Sequence, residues 1–408
     1  MDLPARSAPT IADRYATWRQ RYMRDEPGLD PHSSLPHRYV FYNGDGDNGD
    51  AVTCSEAIGY GMLIAVLKHA RDDLDALLRY ADYFRNERGL LGWQQRRDPR
   101  THRLVPGHEG GEHSATDGDL DCVAALWMAH KLWDDPAYAD RARRWGSALL
   151  QHCVHPTTGA LLVGDWAHPN FLTASGNGQH RSTRRRASKA KGKIRRLLAR
   201  LGFKRMAVPD AQWLTRPSDF IMAHLALFAR RHTEKSREWT RVLEVTRSIM
   251  DAQHRLHPDT GLVADFLVWN GSRAAYLPAK GKVLESSHDG DYNWNSCRVP
   301  WRLAHYYLAS KDAAVEPHMR ALVRFFETKC RDGMVYAGYK LSGQAFVKYT
   351  DLAFLAPAAY CLEVMGSAKA GAVRRRVDEA YADASYFGET IAMLTLLQTG
   401  ANALDLLA

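Results

Sequence analysis

Apolar residues along this 408-residue chain recur at helical spacing, and the helical stretches alternate between two kinds. Ile58 to Leu67 is apolar nearly all round and rich in small residues, as a helix buried on every side must be. Next comes a segment in which Leu74, Leu77, Leu78, Ala81 and Phe84 form one stripe, the mark of an amphipathic outer helix. The couplet recurs as Leu120–Leu132 with Tyr138–Leu150, Phe220–Phe228 with Trp239–Met250, and Val299–Leu308 with Met319–Phe326. A fifth pair joins Leu352–Leu362, where Pro357 should kink the inner helix, to Ala372–Ala382. A last apolar helix, Thr390–Leu397, finds its partner in the amphipathic Ile11–Met23 at the other end of the sequence. Six inner helices ringed by six outer ones make an all-α (α/α)6 barrel, closed where the first and last elements meet. The couplets follow no strict sequence period, which argues against a solenoid.

Long segments rich in Gly, Asp, His and aromatic residues separate the couplets, at 26–54, 89–116, 154–218, 257–294 and 332–350. Loops of this length usually carry function, and in a barrel they gather at one end, so a cleft is expected there. No linker is visible, and residues 1–408 read as a single catalytic domain with a basic insert at about 181–205.

Charge changes this picture only locally. The net charge of +9 suggests nucleic acid until it is located: residues 181–205 hold twelve Lys or Arg and no acid, so the remainder is mildly acidic. The insert reads as a solvated loop, or as a short amphipathic helix with Ile194, Leu197, Leu198 and Leu201 on one face. With 45% apolar and 25% charged residues and no run long enough to span a bilayer, the chain is expected to be soluble and monomeric, with neither nucleic acid nor membrane as partner. Six scattered cysteines without a C-x-x-C pair read as buried free thiols. Met1–Arg6 lacks the apolar stretch of a signal peptide, which fits either a cytosolic protein or a trimmed secreted one; secretion is the expectation.

Two formal motif matches fail on inspection. His108-Glu109-Gly110-Gly111-Glu112-His113 lacks the second His of H-E-x-x-H, and Asn43 to Asp50 lacks the spacing of an EF-hand loop. No metal and no cofactor is expected.

The candidate chemistry lies in carboxylates near helix starts. Glu56 opens a helix whose other residues are apolar or small, so its carboxyl either faces a cavity, with the raised pKa a general acid needs, or answers the helix dipole behind Ser55 as cap. Asp117 and Asp119 likewise precede an apolar run and read as site residues or caps.

Three segments together, Ser55-Glu56-Ala57-Ile58-Gly59-Tyr60-Gly61-Met62, Ala115-Thr116-Asp117-Gly118-Asp119-Leu120-Asp121-Cys122 and Asn295-Ser296-Cys297-Arg298-Val299-Pro300-Trp301-Arg302, resemble glycoside hydrolase family 8. The resemblance spans nearly the whole chain apart from the insert, and it implies an inverting endo-acting hydrolase of β-1,4 linkages on an (α/α)6 barrel. It implies that Glu56 is the proton donor and that Asp117 holds the distorted sugar of the central subsite, with Asp119 supporting that geometry. Many members carry an aspartate as base where this chain has Asn295, and an amide cannot take a proton from water at useful pH. A subgroup draws its base from a glutamate in the preceding loop, which here matches Glu285; Asp289 and Asp291 remain alternatives.

That subgroup contains chitosanases and β-1,3-1,4-glucanases. The loop acids Asp45, Asp47, Asp50, Glu109, Glu112, Asp289 and Asp291 place chitosan slightly ahead of mixed-linkage glucan, although the cationic insert would repel chitosan. The expected partner is thus a linear β-linked polysaccharide or oligosaccharide; cellulose- or xylan-type substrates are the alternatives. A catalytically silent polysaccharide-binding protein is the reading of another class. Tyr60, Trp93, Trp166, Tyr292, Trp294, Trp301 and Tyr349 are candidate sugar-stacking platforms, about half of them expected in the core instead. Asn295 and Arg298 complete the candidate binding set, Arg298 and Arg302 as orienters of carboxylates.

Overall fold

The computed structural model describes residues 10–42, 50–108, 110–171, 210–329, 333–381 and 385–408. Its inner helices are α2 (Ser55–Leu67), α4 (Thr116–Trp133), α6 (Met222–Arg231), α8 (Val299–Ser310), α10 (Leu352–Val364) and α12 (Tyr386–Gln398). Each packs on the next, and α12 returns to α2, so the ring closes. The outer helices are α3 (Arg71–Tyr83), α5 (Pro136–His152), α7 (Ser236–Leu256), α9 (Glu316–Lys329) and α11 (Ala370–Ala380), with α1 (Ile11–Tyr22) packed on α12 as the sixth. The (α/α)6 barrel read from periodicity is therefore the fold.

The two helix kinds differ in burial as the pattern requires. Every residue of α2 but Glu56 is buried, whereas α7 buries only Trp239, Val242, Thr246, Ile249, Met250 and Gln253 along one face. Local chemistry starts the outer helices: Thr10 and Asp13 form a capping box on α1, and Asp135 caps α5 with Pro136 in its first turn. α10 starts from an Asp351 cap and continues unbroken across Pro357.

One helix was not anticipated. After α12 the chain bends by 85° into α13 (Ala401–Leu407), which lies against α4, α6, α8 and α12. Lys131 and Arg230, near the C-terminal ends of α4 and α6, bond the backbone oxygens of Asp405 and Leu407. α13 is thus a floor across the C-terminal ends of the inner helices, opposite the long loops.

Those loops are not structureless. They contain three antiparallel sheets: β1–β2 (Met23–Asp25, Arg38–Val40), β3–β4–β5 (Ala51–Cys54, Gln94–Arg97, Leu104–Pro106) and β6–β7–β8 (Leu214–Thr215, Leu267–Asn270, Ala275–Pro278). Strands of two to four residues are too short to show a period and escape a search for helical stripes. Under β6–β8 lies a second apolar cluster of Leu162, Val163, Ala167, Leu214, Phe266, Ala279 and Val283. Five cysteines are free thiols among the described residues, all buried except the half-buried Cys54. The basic insert lies outside the described residues, as do Asp45, Asp47 and Glu109.

Candidate active site

Two glycines bring the first two acids together. α2 and α4 cross so closely that a Cβ on Gly59 would lie 2.9 Å from the Gly118 carbonyl oxygen, and one on Gly118 would lie 2.4 Å from the Ser55 carbonyl carbon. Glu56, next to Ser55, and Asp117, next to Gly118, therefore stand side by side at the open end. Neither is a cap: Cys54 and Ala115 hold the N-cap positions of α2 and α4 without side-chain bonds, and Ser55 is already helical.

Arg298, in the 3-10 turn that opens α8, sits between them. It is buried; Nη1 bonds Glu56, donates to Asp117 Oδ2 at 3.1 Å and reaches the Tyr60 hydroxyl at 3.3 Å. Nη2 donates to Ser218 Oγ and to Asn295 Oδ1, each at 3.1 Å. On the far side of Asp117, Arg216 Nη2 approaches Oδ1 at 2.9 Å while its Nε bonds Asp219 at 2.8 Å.

The unequal share of cations splits the two carboxyls. Burial pushes Glu56 up and the single Arg298 contact offsets it only in part, leaving it at about 7. For Asp117 burial also acts upward, but Arg216, Arg298 and the Gly118 amide outweigh it and hold the carboxyl below its ordinary range. Below about pH 7 the pair thus contains one proton-bearing acid and one anion.

The third carboxyl, Glu285, is exposed in the loop before α8, and Asn295 Nδ2 donates to its Oε2 at 2.8 Å. Two buried aspartates fix this region. Asp289 accepts from the backbone amides of Val283, Leu284, Glu285 and Ser286 at 2.7–3.1 Å. Asp265 accepts from the amides of Asn293, Asn295 and Ser296 and from the Ser296 hydroxyl. Desolvation raises Asp265 to about 7 despite those donors. Asp289 is thus occupied by the backbone, and Asp291 by His288 and Lys340. Both alternatives to Glu285 are engaged elsewhere.

Glu56, Asp117, Arg216 and Glu285 line one cavity of about 610 Å³, with Tyr42, Trp93, Tyr386 and Phe387 on its walls. Trp93 is held beside Glu56 because its carbonyl accepts from the Ser55 amide at 2.8 Å. The other expected binding residues divide. Asn295 and Arg298 are buried behind the wall as organisers. Tyr60 and Tyr292 are fully buried core aromatics, and Trp301 is too, its indole N–H donating to Gln398. Trp166 packs on the cluster under β6–β8 and Tyr349 is half exposed; neither lines this cavity. Asp119 is corrected outright: fully buried, its Oδ1 accepts from the Leu91 amide at 2.9 Å and from Trp145 Nε1 at 2.5 Å, which ties α4 to α5 and the loop before β4.

Arg216, Tyr42, Tyr386 and Phe387 were missed. For Arg216 a signal existed, since Arg216-Pro217-Ser218-Asp219 puts charge just ahead of an inner helix, as the Glu56 and Asp117 segments do. The aromatics gave none, because nothing in their sequence neighbourhood distinguishes a cleft wall from a core.

The family model for glycosyl hydrolases family 8 matches residues 8–166 and 165–401 of the chain. A β-glucanase of Niallia circulans is 28% identical over 361 residues, covering 85% of this chain and 73% of that protein. An endoglucanase of Bacillus sp. (strain KSM-330) is 25% identical over 363 residues, covering 85% and 66%. Among solved structures, the apo β-1,3-1,4-glucanase from Paenibacillus sp. X4 superimposes with a TM-score of 0.73 at 24% identity, over 97% of this chain and 95% of that one. A family 8 xylanase from Teredinibacter turnerae, solved as a catalytic mutant with xylohexaose, gives 0.69 at 17% identity over 96% and 92%. At these identities the structural likeness is one of fold.

Proposed function

The chain belongs to glycosyl hydrolase family 8 and is a glycoside hydrolase, and from that premise we propose an inverting, endo-acting enzyme that cuts β-1,4 bonds in a neutral linear β-glucan. The observation that carries this reading is a half-buried Glu56, its carboxyl raised to about 7, and an exposed Glu285 in one cavity, held apart by an arginine and an amide laid end to end. Inversion needs about 6.5–9.5 Å between acid and base, room for a water.

Glu56 gives its proton to the glycosidic oxygen as the C1–O bond breaks, while a water on the opposite sugar face attacks C1 and passes its proton to Glu285. Asp117, kept anionic by two arginines, accepts from a hydroxyl of the central sugar and steadies the developing positive charge on the ring. After product leaves, Glu285 releases its proton to solvent and Glu56 takes one up.

Charge balance supports a neutral polymer over chitosan. The carboxylates Asp117 and Glu285 are matched in number by Arg216 and Arg298, and Glu56, raised to about 7, adds no full negative charge below that pH. Among the described loop acids, Asp50 is paired with Arg96 and Asp291 with Lys340, while Asp289 is taken up by backbone amides. A β-glucanase and endoglucanases among the relatives agree with this substrate class. Proton NMR of the first product from barley β-glucan is the test. The expected product is the α-anomer; a β-anomer, or faster turnover of chitosan than of glucan, overturns the respective half of the proposal.

A further inference from the structure

We propose that Asn295 is a positioning residue for the base: its amide clamps one oxygen of Glu285, so that the other alone faces the water. The inference rests on Glu285 being the base. It goes beyond that reading by giving Asn295, which cannot itself accept the proton, a defined role in the step.

The orientation of the amide is imposed by its neighbours. Arg298 has only donors, so the atom it meets at 3.1 Å must be Oδ1, and Nδ2 must then face Glu285 Oε2, 2.8 Å away. The backbone is held as firmly, with Arg298 Nε on the Asn295 carbonyl at 3.2 Å and the Asn295 amide on Asp265 at 3.2 Å. Asn295 is 6% exposed while Glu285 is exposed, so a buried, doubly tethered group grips a carboxylate on a solvent-facing loop.

The physical gain is orientational. An exposed glutamate samples several rotamers, and fixing it in a productive one removes that entropy from the barrier. The cost is a hydrogen bond that draws charge from the base. The clamp takes Oε2 and so leaves Oε1 to receive the proton. Arg298 also holds Glu56, so acid and base are set by one guanidinium.

Two substitutions separate this role from a structural one. Asn295→Ala keeps the backbone bonds but frees Glu285 and leaves one Arg298 N–H without its acceptor; kcat is expected to fall about 100-fold with little change in KM, and Tm to fall with the lost Arg298 contact. Asn295→Asp replaces the donor by a second carboxylate within hydrogen-bond reach of Glu285. The groups around that pair are Arg298 in the turn before α8, Arg216 after β6, Asp265 before β7, and Asp117 and Glu56 at the starts of α4 and α2. The two arginines do not cancel the repulsion between carboxylates so close, and the pair will hold a shared proton. The acidic limb of the kcat/KM profile is therefore expected to move up by about 1–3 pH units. Parent-like kcat in Asn295→Ala, or an unmoved acidic limb in Asn295→Asp, overturns the inference. Glu285→Gln serves as the control: if it stays active, Glu285 is not the base and the proposed function fails at that point. An inactive Glu285→Gln beside a fully active Asn295→Ala defeats the inference alone.

Discussion

Gly118 packs against Ser55 so closely that a methyl group on Gly118 would sit 2.4 Å from the Ser55 carbonyl carbon, inside backbone rather than beside a movable side chain. That contact sets the spacing of Glu56, one residue after Ser55, and Asp117, one residue before Gly118, and so allows Arg298 to hold both.

Gly118→Ala should therefore injure activity and stability together. Backbone cannot yield as a side-chain tip does, so α2 and α4 must separate, at a cost of about 1–3 kcal/mol. A shift of the acids by about 1 Å from Arg298 is expected to lower kcat about 100-fold. Urea unfolding and steady-state kinetics on the same preparation check this; an unchanged kcat would show that the helix crossing does not set the site.

Glu56→Gln removes the proton donor while keeping its shape. Activity should fall by about 10²- to 10⁴-fold, with a Tm close to the parent's. In the parent enzyme a donor at about 7 must be protonated to act, so kcat/KM should decline as pH rises through about 7. A basic limb that survives unchanged in the residual activity of Glu56→Gln would assign that limb to another group.

Asp119 offers a test in stability alone. Burial raises its carboxyl to about 7, so the folded protein holds a proton there that the unfolded chain releases near its ordinary value of 3.8. The folded state binds more protons between about pH 4 and 7, and stability from this residue is lost as pH rises through that window. Asn in its place still accepts from Leu91 and Trp145 through Oδ1 and carries no charge to bury. Asp119→Asn should therefore gain on the parent between pH 5 and pH 8, by on the order of 2–4 kcal/mol. Tm measured at both pH values decides it, and a gap that does not widen with pH refutes the buried-proton argument.

Asp289→Asn acts on the loop of the base. The carboxylate receives four backbone amides, and an Asn would turn an N–H₂ toward some of them. Each donor left unpaired costs about 1–3 kcal/mol locally, so the loop around Glu285 should open. The expected result is lower kcat together with faster amide exchange at 283–286; parent-like exchange there would contradict it.

Of the fold, nearly everything helical was legible in the chain. Apolar positions all round Ile58–Leu67, against a single stripe at Leu74, Leu77 and Leu78, distinguish inner from outer helices because burial on all sides and on one side leave different local patterns. The floor helix α13 was not legible: seven residues are too few to show a period, and its place depends on contacts with α4, α6 and α8, all distant in the chain.

The site divides the same way. The sequence by itself determined which carboxyls open helices, that Asn295 is no base, and that Glu285 stands ten residues before it. Only the tertiary structure decided that Arg216 and Arg298 both face Asp117 while Glu56 has one arginine, and that Asp289 is spent on backbone amides while Glu285 is not. It also moved Asp119, Tyr60 and Tyr292 from the cleft to the core. The reason is physical: helix type follows from the polarity of neighbours within a few residues, whereas a carboxyl's charge and reach follow from groups brought near it from anywhere in the chain.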